Sequence, residues 1–200
     1  YFTHKGFESG PVVRAALAIA GSMALQGPVI RWVADHRRHH ALSDKPGDPH
    51  SPVTDSFYHA HVGWLFAKSR SRPSKYARDL LSDPVVRRVD RHYVAWMALS
   101  FALPFALGGL IGGTLERAAS ALLWGGFVRV FAVHHVTWAI NSVCYVMGKR
   151  PYAARDESSN VAWLALPSLG ESWHNNHHAF PSSAVHGIDR AQPDPSAWLI

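Results

Sequence analysis

Two histidine clusters of this chain share one spacing. His36-Arg-Arg-His39-His40 and His174-Asn-Asn-His177-His178 both read H-x-x-H-H. The chain has 14 His among 200 residues, and chance poorly explains two clusters with the same spacing. On a helix, positions i, i+3 and i+4 lie on one face, so each cluster can direct three imidazoles at one point. Imidazole is a ligand of Zn, Cu, Fe and Ni, so the ligand type alone does not select the metal. The spacing predicts that two helical faces enclose a metal centre.

The number of histidines favours a centre with two metals. A structural zinc site is tetrahedral, with four ligands and no open position, and six imidazoles exceed that requirement. A site rich in neutral imidazole can hold iron and leave positions for dioxygen, so activation of O2 is the reaction class that we favour. Cys144 is the only cysteine, which excludes an intrachain disulfide and a zinc or iron–sulfur site built from this chain's cysteines.

Two long apolar stretches indicate how the clusters are positioned. Residues 93–113 contain no formal charge over 21 residues, which reaches the roughly 20 that a membrane-spanning helix needs. A second apolar stretch covers residues 118–148, and Gly108, Gly109, Gly112, Gly113 and Thr114 are expected to form the turn between the two. The pattern predicts an all-α integral membrane protein with a transmembrane hairpin. An apolar substrate, held near the membrane, would then reach the metals.

The basic residues predict the orientation of that hairpin. Arginines and lysines flank it on both outer sides, and the connecting turn has only Glu116 and Arg117. Basic flanks stay on the cytoplasmic side, so both clusters are expected in a helical cap on the cytoplasmic face. The formal net charge of +6 is thereby largely explained, membrane lipid is an expected partner, and a surface of anionic lipid or anionic substrate could use the same charges. Nucleic acid is not expected, because the aromatic residues lie in apolar rather than basic segments.

Shorter segments complete the prediction. Residues 11–35 are expected to form a helix that Gly27-Pro28 bends or breaks, with residues 29–40 carrying the first cluster. Residues 43–55 are expected to form a loop, residues 57–67 a short amphipathic helix and residues 77–91 a charged helix. A helical stretch beginning near residue 161 is expected to carry the second cluster and to stop at Pro181.

At these motifs the chain resembles the membrane-bound fatty acyl desaturases of the stearoyl-CoA Δ9-desaturase type. That family has three His boxes, H-x-x-x-x-H and then H-x-x-H-H twice; the second reads DHRRHHALSD here and the third reads GESWHNNHHAFP. Tyr-Phe-Thr-His4-Lys resembles the end of the first box. GDPHSP, HVGWLF and TWAINSVCYVMG are also similar to the family, so the likeness runs from His4 to about Pro181.

The resemblance implies one desaturase domain over residues 1–200. It implies a di-iron enzyme that uses O2 as co-substrate to introduce a cis double bond, at the Δ9 position, into a saturated acyl chain. Electrons would come from a cytochrome b5-, ferredoxin- or rubredoxin-like protein with its reductase. The chain opens on Tyr1 rather than Met, and we interpret it as a fragment that lacks the first pair of membrane helices and the start of the first box.

The resemblance also implies roles for individual residues. No catalytic side chain is predicted beyond the metal ligands. The implied iron ligands are His4, His36, His39, His40, His174, His177 and His178, with Asn141 holding a water beside one iron. The family's N-S-x-x-H element has a further histidine ligand where this chain has Tyr145. The implied substrate-binding residues are Gln26, Trp32, Asp35, Lys68, Thr137 and Trp138, and the acyl carrier is CoA, acyl-carrier protein or a lipid.

Several alternatives remain open on the sequence. A membrane di-iron hydroxylase acting on lipid or alkane would have similar His boxes, and a non-enzymatic metal-binding membrane protein is a rival from another class. One of His50, His59 and His61 could orient a ligand through a hydrogen bond; the alternative is that all three are ordinary loop or short-helix residues. Asp156 and Glu171 either bond ligand imidazoles or are surface charges.

Overall fold

The fold is helical throughout the part of the chain that the structure describes. The computed structural model describes residues 1–67 and 70–200, and within these ranges it contains no β-strand, only two isolated bridges, Lys149 to Asn160 and Asn160 to Trp173. The chain folds into two compact units. The first comprises Tyr1–Glu8, Val33–Arg72 and Val136–Ile200, and the second comprises Ser9–Trp32 and Pro73–His135. The predicted all-α class is confirmed for the described residues.

Ten α-helices are found in the described ranges. They are α1 Pro11–Met23, α2 Val29–Leu42, α3 Phe57–His61, α4 Pro73–Tyr76, α5 Arg78–Ser82, α6 Pro84–Arg91, α7 Tyr93–Gly112, α8 Leu115–Leu122, α9 Arg129–Val146 and α10 His174–Ala179. Short 3-10 turns cover Gly63–Phe66, Ala162–Leu164 and Ala197–Leu199, and a π-helical segment, Leu123–Val128, joins α8 to α9.

The break predicted at Gly27-Pro28 is present. Helix α1 ends at Met23, and Gly27 has a φ of +107°, a conformation that a residue with a side chain rarely adopts. Tyr93 accepts a hydrogen bond from the Gly27 backbone N–H at 3.1 Å, and helix α2 then begins at Val29. Helices α1 and α2 are therefore separate helices, and the first His cluster lies wholly in α2.

The charged segment and the second cluster are less regular than predicted. Two short helices, α5 and α6, replace the single helix that the sequence predicts over residues 77–91, and a further short helix, α4, precedes them. The N-cap of α6 is Asp83, which accepts hydrogen bonds from Val85 and Val86. The second cluster forms the six-residue helix α10, which begins only at His174. The expected long helix from residue 161 is wrong, because turns and 3-10 structure precede α10.

Helices α7 and α8 pack against each other in an antiparallel manner. The contacts step in opposite directions and pair Gly112 with Arg117 and Gly108 with Ala121 of α8, and then Pro104 with Gly125 and Phe101 with Phe127 of the π-helical segment. The predicted five-residue turn is wrong, because helix α7 continues to Gly112 and only Gly113 and Thr114 connect it to α8. Gly108 and Gly112 instead form a small-residue face that lets the two backbones approach closely.

We expect Gly108→Ala to destabilise the packing of α7 on α8. A methyl group there would overlap the Ala121 side chain and lie 2.8 Å from the Arg117 carbonyl oxygen. Overpacking of this kind costs about 1–3 kcal/mol of unfolding free energy, which thermal unfolding in detergent would detect. Gly109→Ala is the matched control, since its methyl would approach only the Ala118 Cβ, at 3.3 Å. Equal stability of the two variants would contradict the close approach at Gly108.

Two continuous helical segments are long and apolar enough to cross a membrane. They are Tyr93–Gly112 with 20 residues and Leu115–Val146 with 32 residues. Their side chains are mostly exposed, with Leu110 81% and Ile111 85% accessible, so most of this apolar surface is not covered by the described part of the chain.

Candidate metal centre

Four imidazoles from three parts of the chain converge in the first compact unit. His36 and His40 lie one turn apart on α2, His177 lies on α10, and His4 lies in the amino-terminal segment. His40 is their common neighbour, because its Nε2 atom is 3.2 Å from the Nε2 of His4, 3.1 Å from that of His36 and 3.1 Å from that of His177. We call these four residues the first set.

Three further imidazoles form a second set, His39, His174 and His178. Their ring nitrogens also lie within 4.8 Å of one another. The hydroxyl oxygen of Tyr145, from α9, lies among them at 2.8 Å from the Nε2 of His39 and 3.2 Å from the Nε2 of His178. Helices α2 and α10 therefore each contribute side chains to both sets, and α9 contributes Tyr145 to the second set.

Each H-x-x-H-H cluster divides between the two sets. In α2 the i, i+4 pair, His36 and His40, belongs to the first set, and His39 belongs to the second; in α10 the pair His174 and His178 belongs to the second set, and His177 to the first. At about 100° per residue, i and i+4 point about 40° apart, whereas i+3 and i+4 point about 100° apart. The prediction that all three imidazoles of a cluster point to one position is wrong, and each cluster serves two sites.

The donor sets fit metal ions. Two nitrogens about 2.1 Å from one metal lie about 3.0 Å apart at right angles and about 3.4 Å apart at the tetrahedral angle, and the Nε2 contacts of the first set measure 3.1–3.3 Å. Both ring nitrogens of His174 and the Nδ1 of His177 are buried without a hydrogen-bond partner. Buried polar atoms are rarely left without a partner, and a bound metal would accept the lone pair of one nitrogen of His174.

Two buried carboxylates orient imidazoles of the second set. Asp48 accepts from the Nδ1 of His39 at 2.9 and 3.0 Å, and Asp156 accepts from the Nδ1 of His178 at 2.6 Å. Burial opposes ionisation of both carboxyls, but the hydrogen bonds from the histidines outweigh it and the pKa of each lies below its usual value. An ionised carboxylate on Nδ1 keeps the proton there, so the Nε2 lone pairs of His39 and His178 are available for a metal.

Burial also keeps most of these imidazoles neutral. It lowers the pKa of His4 to about 4 and lowers the pKa values of His36, His40 and His177 below the ordinary 6.5. It likewise lowers the pKa of His174 and brings that of the adjacent His50 to about 3. Neutral imidazole is the form that binds a metal, so this part of the protein is prepared for binding at neutral pH.

We expect acid to destabilise the metal-free protein. The unfolded chain binds protons on these imidazoles below about pH 6.5, whereas folded His4 does so only near a pKa of about 4 and His50 near about 3. The free energy of unfolding therefore falls as the pH is lowered from 6.5 toward 4, which thermal unfolding at several pH values measures. The exposed His92 is the control, since His92→Gln should leave the pH dependence unchanged. A stability that is constant down to about pH 4.5 would contradict burial of neutral histidines.

Helix α10 is held in place by amide side chains. Asn160 accepts hydrogen bonds from the backbone N–H groups of Asn175 and Asn176 at 2.9 and 3.2 Å, so it caps the start of α10 from a distance in sequence. The side chain of Asn176 donates to the His186 carbonyl and to Gln192. A six-residue helix is marginal in isolation, and these bonds fix the direction in which its three histidines point.

Comparison with known proteins shows the family of this chain. The sequence model of the fatty acid desaturase family matches residues 1–194. The chain belongs to the fatty acid desaturase family. Among curated relatives, hex-5-enoyl-[acyl-carrier protein] acetylenase of Moorena producens is 43% identical over 100% of the chain and 66% of its own length. The sn-1 stearoyl-lipid 9-desaturase of Anabaena variabilis is 36% identical over 98% and 69%. Icosanoyl-CoA 5-desaturase of Limnanthes douglasii is 36% identical over 99% and 54%. The chain thus spans about half to two thirds of the length of these relatives.

The structure brings together all seven histidines that the desaturase resemblance singled out. Asn141 lies on α9 one turn before Tyr145. Of the residues expected to bind substrate, Gln26 accepts a hydrogen bond from the indole N–H of Trp32 at 3.1 Å in the second unit. In the first unit, Asp35 accepts from the Ser71 backbone at 3.3 Å. Thr137 and Trp138 lie on α9, and Lys68 is outside the described residues.

Residues around the ligand sets were only partly predicted. Of the three histidines that were candidates to orient a ligand, His50 lies against His39, with ring centroids 4.3 Å apart. Of the two open acidic candidates, Asp156 bonds His178, whereas Glu171 is 3.8 Å from the Nδ1 of His186. Asp48 was missed, although its place in the GDPHSP segment, two residues before His50 and nine residues after His39, was the available signal.

Proposed function

We propose that this chain carries the di-iron centre of an O2-dependent fatty acyl desaturase. The observation that carries the proposal is the convergence of seven histidines into two adjacent sets, each built from both H-x-x-H-H clusters. A single structural metal would need only four of them. In this proposal the first set, His4, His36, His40 and His177, holds one iron, and His39, His174 and His178 hold the other.

Iron bound there would supply the activation of dioxygen, with two electrons from a cytochrome b5-, ferredoxin- or rubredoxin-like protein and its reductase. The chain's own residues supply geometry and protonation state. Asp48 and Asp156 fix the tautomers of His39 and His178 through bonds of 2.6–3.0 Å. Burial keeps the imidazoles uncharged. Asn141, on the same face of α9 as Tyr145, is proposed to hold a water beside one iron.

The proposed enzyme is an integral membrane protein with its metal centre at the cytoplasmic surface. The segment Leu115–Val146 has 32 residues and would be about 48 Å long at 1.5 Å per residue. A hydrocarbon core is about 30 Å thick, so the helix exceeds it by several turns. The last turns, which carry Asn141 and Tyr145, would extend from the bilayer. The basic residues outside the apolar segments support a cytoplasmic position for that end.

The substrate of the proposed enzyme is a saturated fatty acyl chain. The names of three relatives refer to an acyl-carrier protein, a lipid and a CoA carrier, and each is a candidate carrier here. Gln26, Trp32, Asp35, Lys68, Thr137 and Trp138 are proposed to contact the substrate. Membrane lipid is a further partner, since the exposed apolar side chains of α7 and α8 require one.

The double bond is proposed to be cis and to lie at carbon 9; the name of the Anabaena variabilis relative gives position 9 for that protein. The Limnanthes douglasii relative is named for carbon 5. The proposed role of the His boxes is to hold the metals, and they do not determine which carbon of the acyl chain reacts. Product analysis therefore decides this part of the proposal.

We expect cells that express the full-length protein to accumulate a new monounsaturated acyl chain, in an O2-dependent manner. Mass spectrometry of the lipids, with the double bond located by derivatisation, measures the product and its position, and metal analysis of the same preparation measures iron. Cells carrying an empty vector are the control. An alcohol or ketone product would indicate the rival, a membrane di-iron hydroxylase. Stoichiometric zinc without any O2-dependent product would indicate a non-enzymatic metal-binding protein.

A further inference from the structure

The phenol of Tyr145 lies inside the second histidine set. Its ring centroid is 5.8 Å from that of His39, 5.4 Å from that of His174 and 5.9 Å from that of His178, so it contacts all three members. Tyr145 is also buried, with 6% of its surface accessible. The hydroxyl oxygen is thus directed into the space that these imidazoles surround, rather than toward solvent.

The hydrogen bonds around this hydroxyl cannot all be satisfied. The Nδ1 atoms of His39 and His178 donate to Asp48 and Asp156, so both Nε2 atoms are acceptors. These two acceptors lie 2.8 and 3.2 Å from the Tyr145 oxygen. A phenol has one proton and donates only once. One Nε2 lone pair therefore faces the phenol oxygen without a proton between them.

A cation among these atoms removes the conflict. It would accept the Nε2 lone pairs of His39 and His178 and a lone pair of the Tyr145 oxygen at the same time. It would also accept a nitrogen of His174, whose two ring nitrogens have no hydrogen-bond partner. Phenolate oxygen is an established ligand of iron in proteins.

We propose, on the basis of the iron centre proposed above, that Tyr145 supplies the fourth donor atom of the second set. Both sets then have four protein donors, four imidazoles in the first and three imidazoles with one phenolate in the second. The phenol loses its proton to solvent when iron binds, as metal binding requires of its ligands. The Ser43 hydroxyl, 3.3 Å from the Tyr145 oxygen, is placed to donate a hydrogen bond to the resulting anion. The chain therefore has a mixed ligand set in place of the family's additional histidine.

The colour of the ferric protein tests this ligand directly. Phenolate bound to ferric iron absorbs visible light by charge transfer, whereas imidazole ligands alone do not produce this band. The full-length protein is loaded with iron in air, iron per chain is measured, and visible absorption and resonance Raman spectra are recorded. We expect about two irons per chain and a visible band whose Raman spectrum contains phenolate ring modes.

Three variants separate the possible outcomes. Tyr145→Phe is expected to lose the band and to fall toward one iron per chain, and Tyr145→His to keep both irons without the band. Tyr152→Phe is the matched control, since that ring packs on Phe180 at 5.0 Å and is outside both sets; it should keep the band. Two irons without a band in the unaltered protein, or a band that persists in Tyr145→Phe, would overturn the inference alone. Failure of the unaltered protein to bind iron would overturn the proposed function and this inference with it.

Discussion

Replacing His40 with alanine is expected to abolish desaturation and to remove iron from the first set. His40 is the residue whose Nε2 lies within 3.2 Å of the other three Nε2 atoms of that set, so its loss opens the middle of the donor arrangement. Turnover should fall by more than about 100-fold, because loss of a residue that only orients a ligand already lowers metal affinity or activity by about 10–100-fold. Iron per chain and product formation, measured on one preparation, give the two readouts.

The second set offers an internal control for this variant. His39, His174 and His178 do not depend on the His40 ring as a donor, so we expect His40→Ala to retain about one iron per chain. The exposed His92 provides a matched substitution, and His92→Ala should retain full iron and turnover. Retention of both irons by a folded His40→Ala protein would show that the first set is not a metal site.

The sequence predicted which histidines meet but not how they divide. The H-x-x-H-H spacing indicates that three side chains lie near one helical face, and it is compatible with one metal per helix or with two metals shared between helices. The outcome depends on the angle at which α2 and α10 face each other, which is a tertiary property. In the structure, His39 and His177 each lie in a different set from the other two histidines of their cluster, which fits the shared arrangement.

The supporting residues were harder to predict because their partners are distant in sequence. Asp156 bonds a histidine 22 residues away, and Asn160 caps a helix that begins 14 residues later. Neither contact follows from a repeating pattern of residue types in the sequence. The same reason explains why the predicted second-cluster helix is too long, since the short helix α10 is stabilised by these remote amides rather than by its own sequence.

The two long apolar helical segments were the most predictable part of the fold, because apolar length is a local property. Helix α7, Tyr93–Gly112, ends one residue before the predicted stretch does. What sequence composition did not show is the role of the glycines near its end. Glycine in a sequence is a turn signal, whereas at Gly108 its lack of a side chain lets α7 approach α8.

Replacing Asp156 with alanine is expected to lower turnover and iron retention in the second set by about 10–100-fold, the usual effect of losing a residue that orients a metal ligand. Asp156 accepts from the Nδ1 of His178 at 2.6 Å with one oxygen and from the Ser158 backbone at 3.1 Å with the other. Without it, the proton of His178 is free to move to Nε2, where it would block the lone pair that faces the second set. Iron titration of the purified variant measures the loss.

The asparagine variant distinguishes orientation from charge. Asp156→Asn keeps one oxygen acceptor but cannot accept from both His178 and Ser158. We therefore expect its iron retention to lie between that of the alanine variant and that of the unaltered protein. Glu157→Gln is the matched control, because the neighbouring carboxylate pairs with Arg150 at the surface and its side chain is 55% exposed. If Asp156→Ala and Glu157→Gln bound iron equally well, the tautomer of His178 would not depend on Asp156. The hydrogen bond between Asp48 and His39 would then be the remaining carboxylate contact that orients an imidazole of the second set.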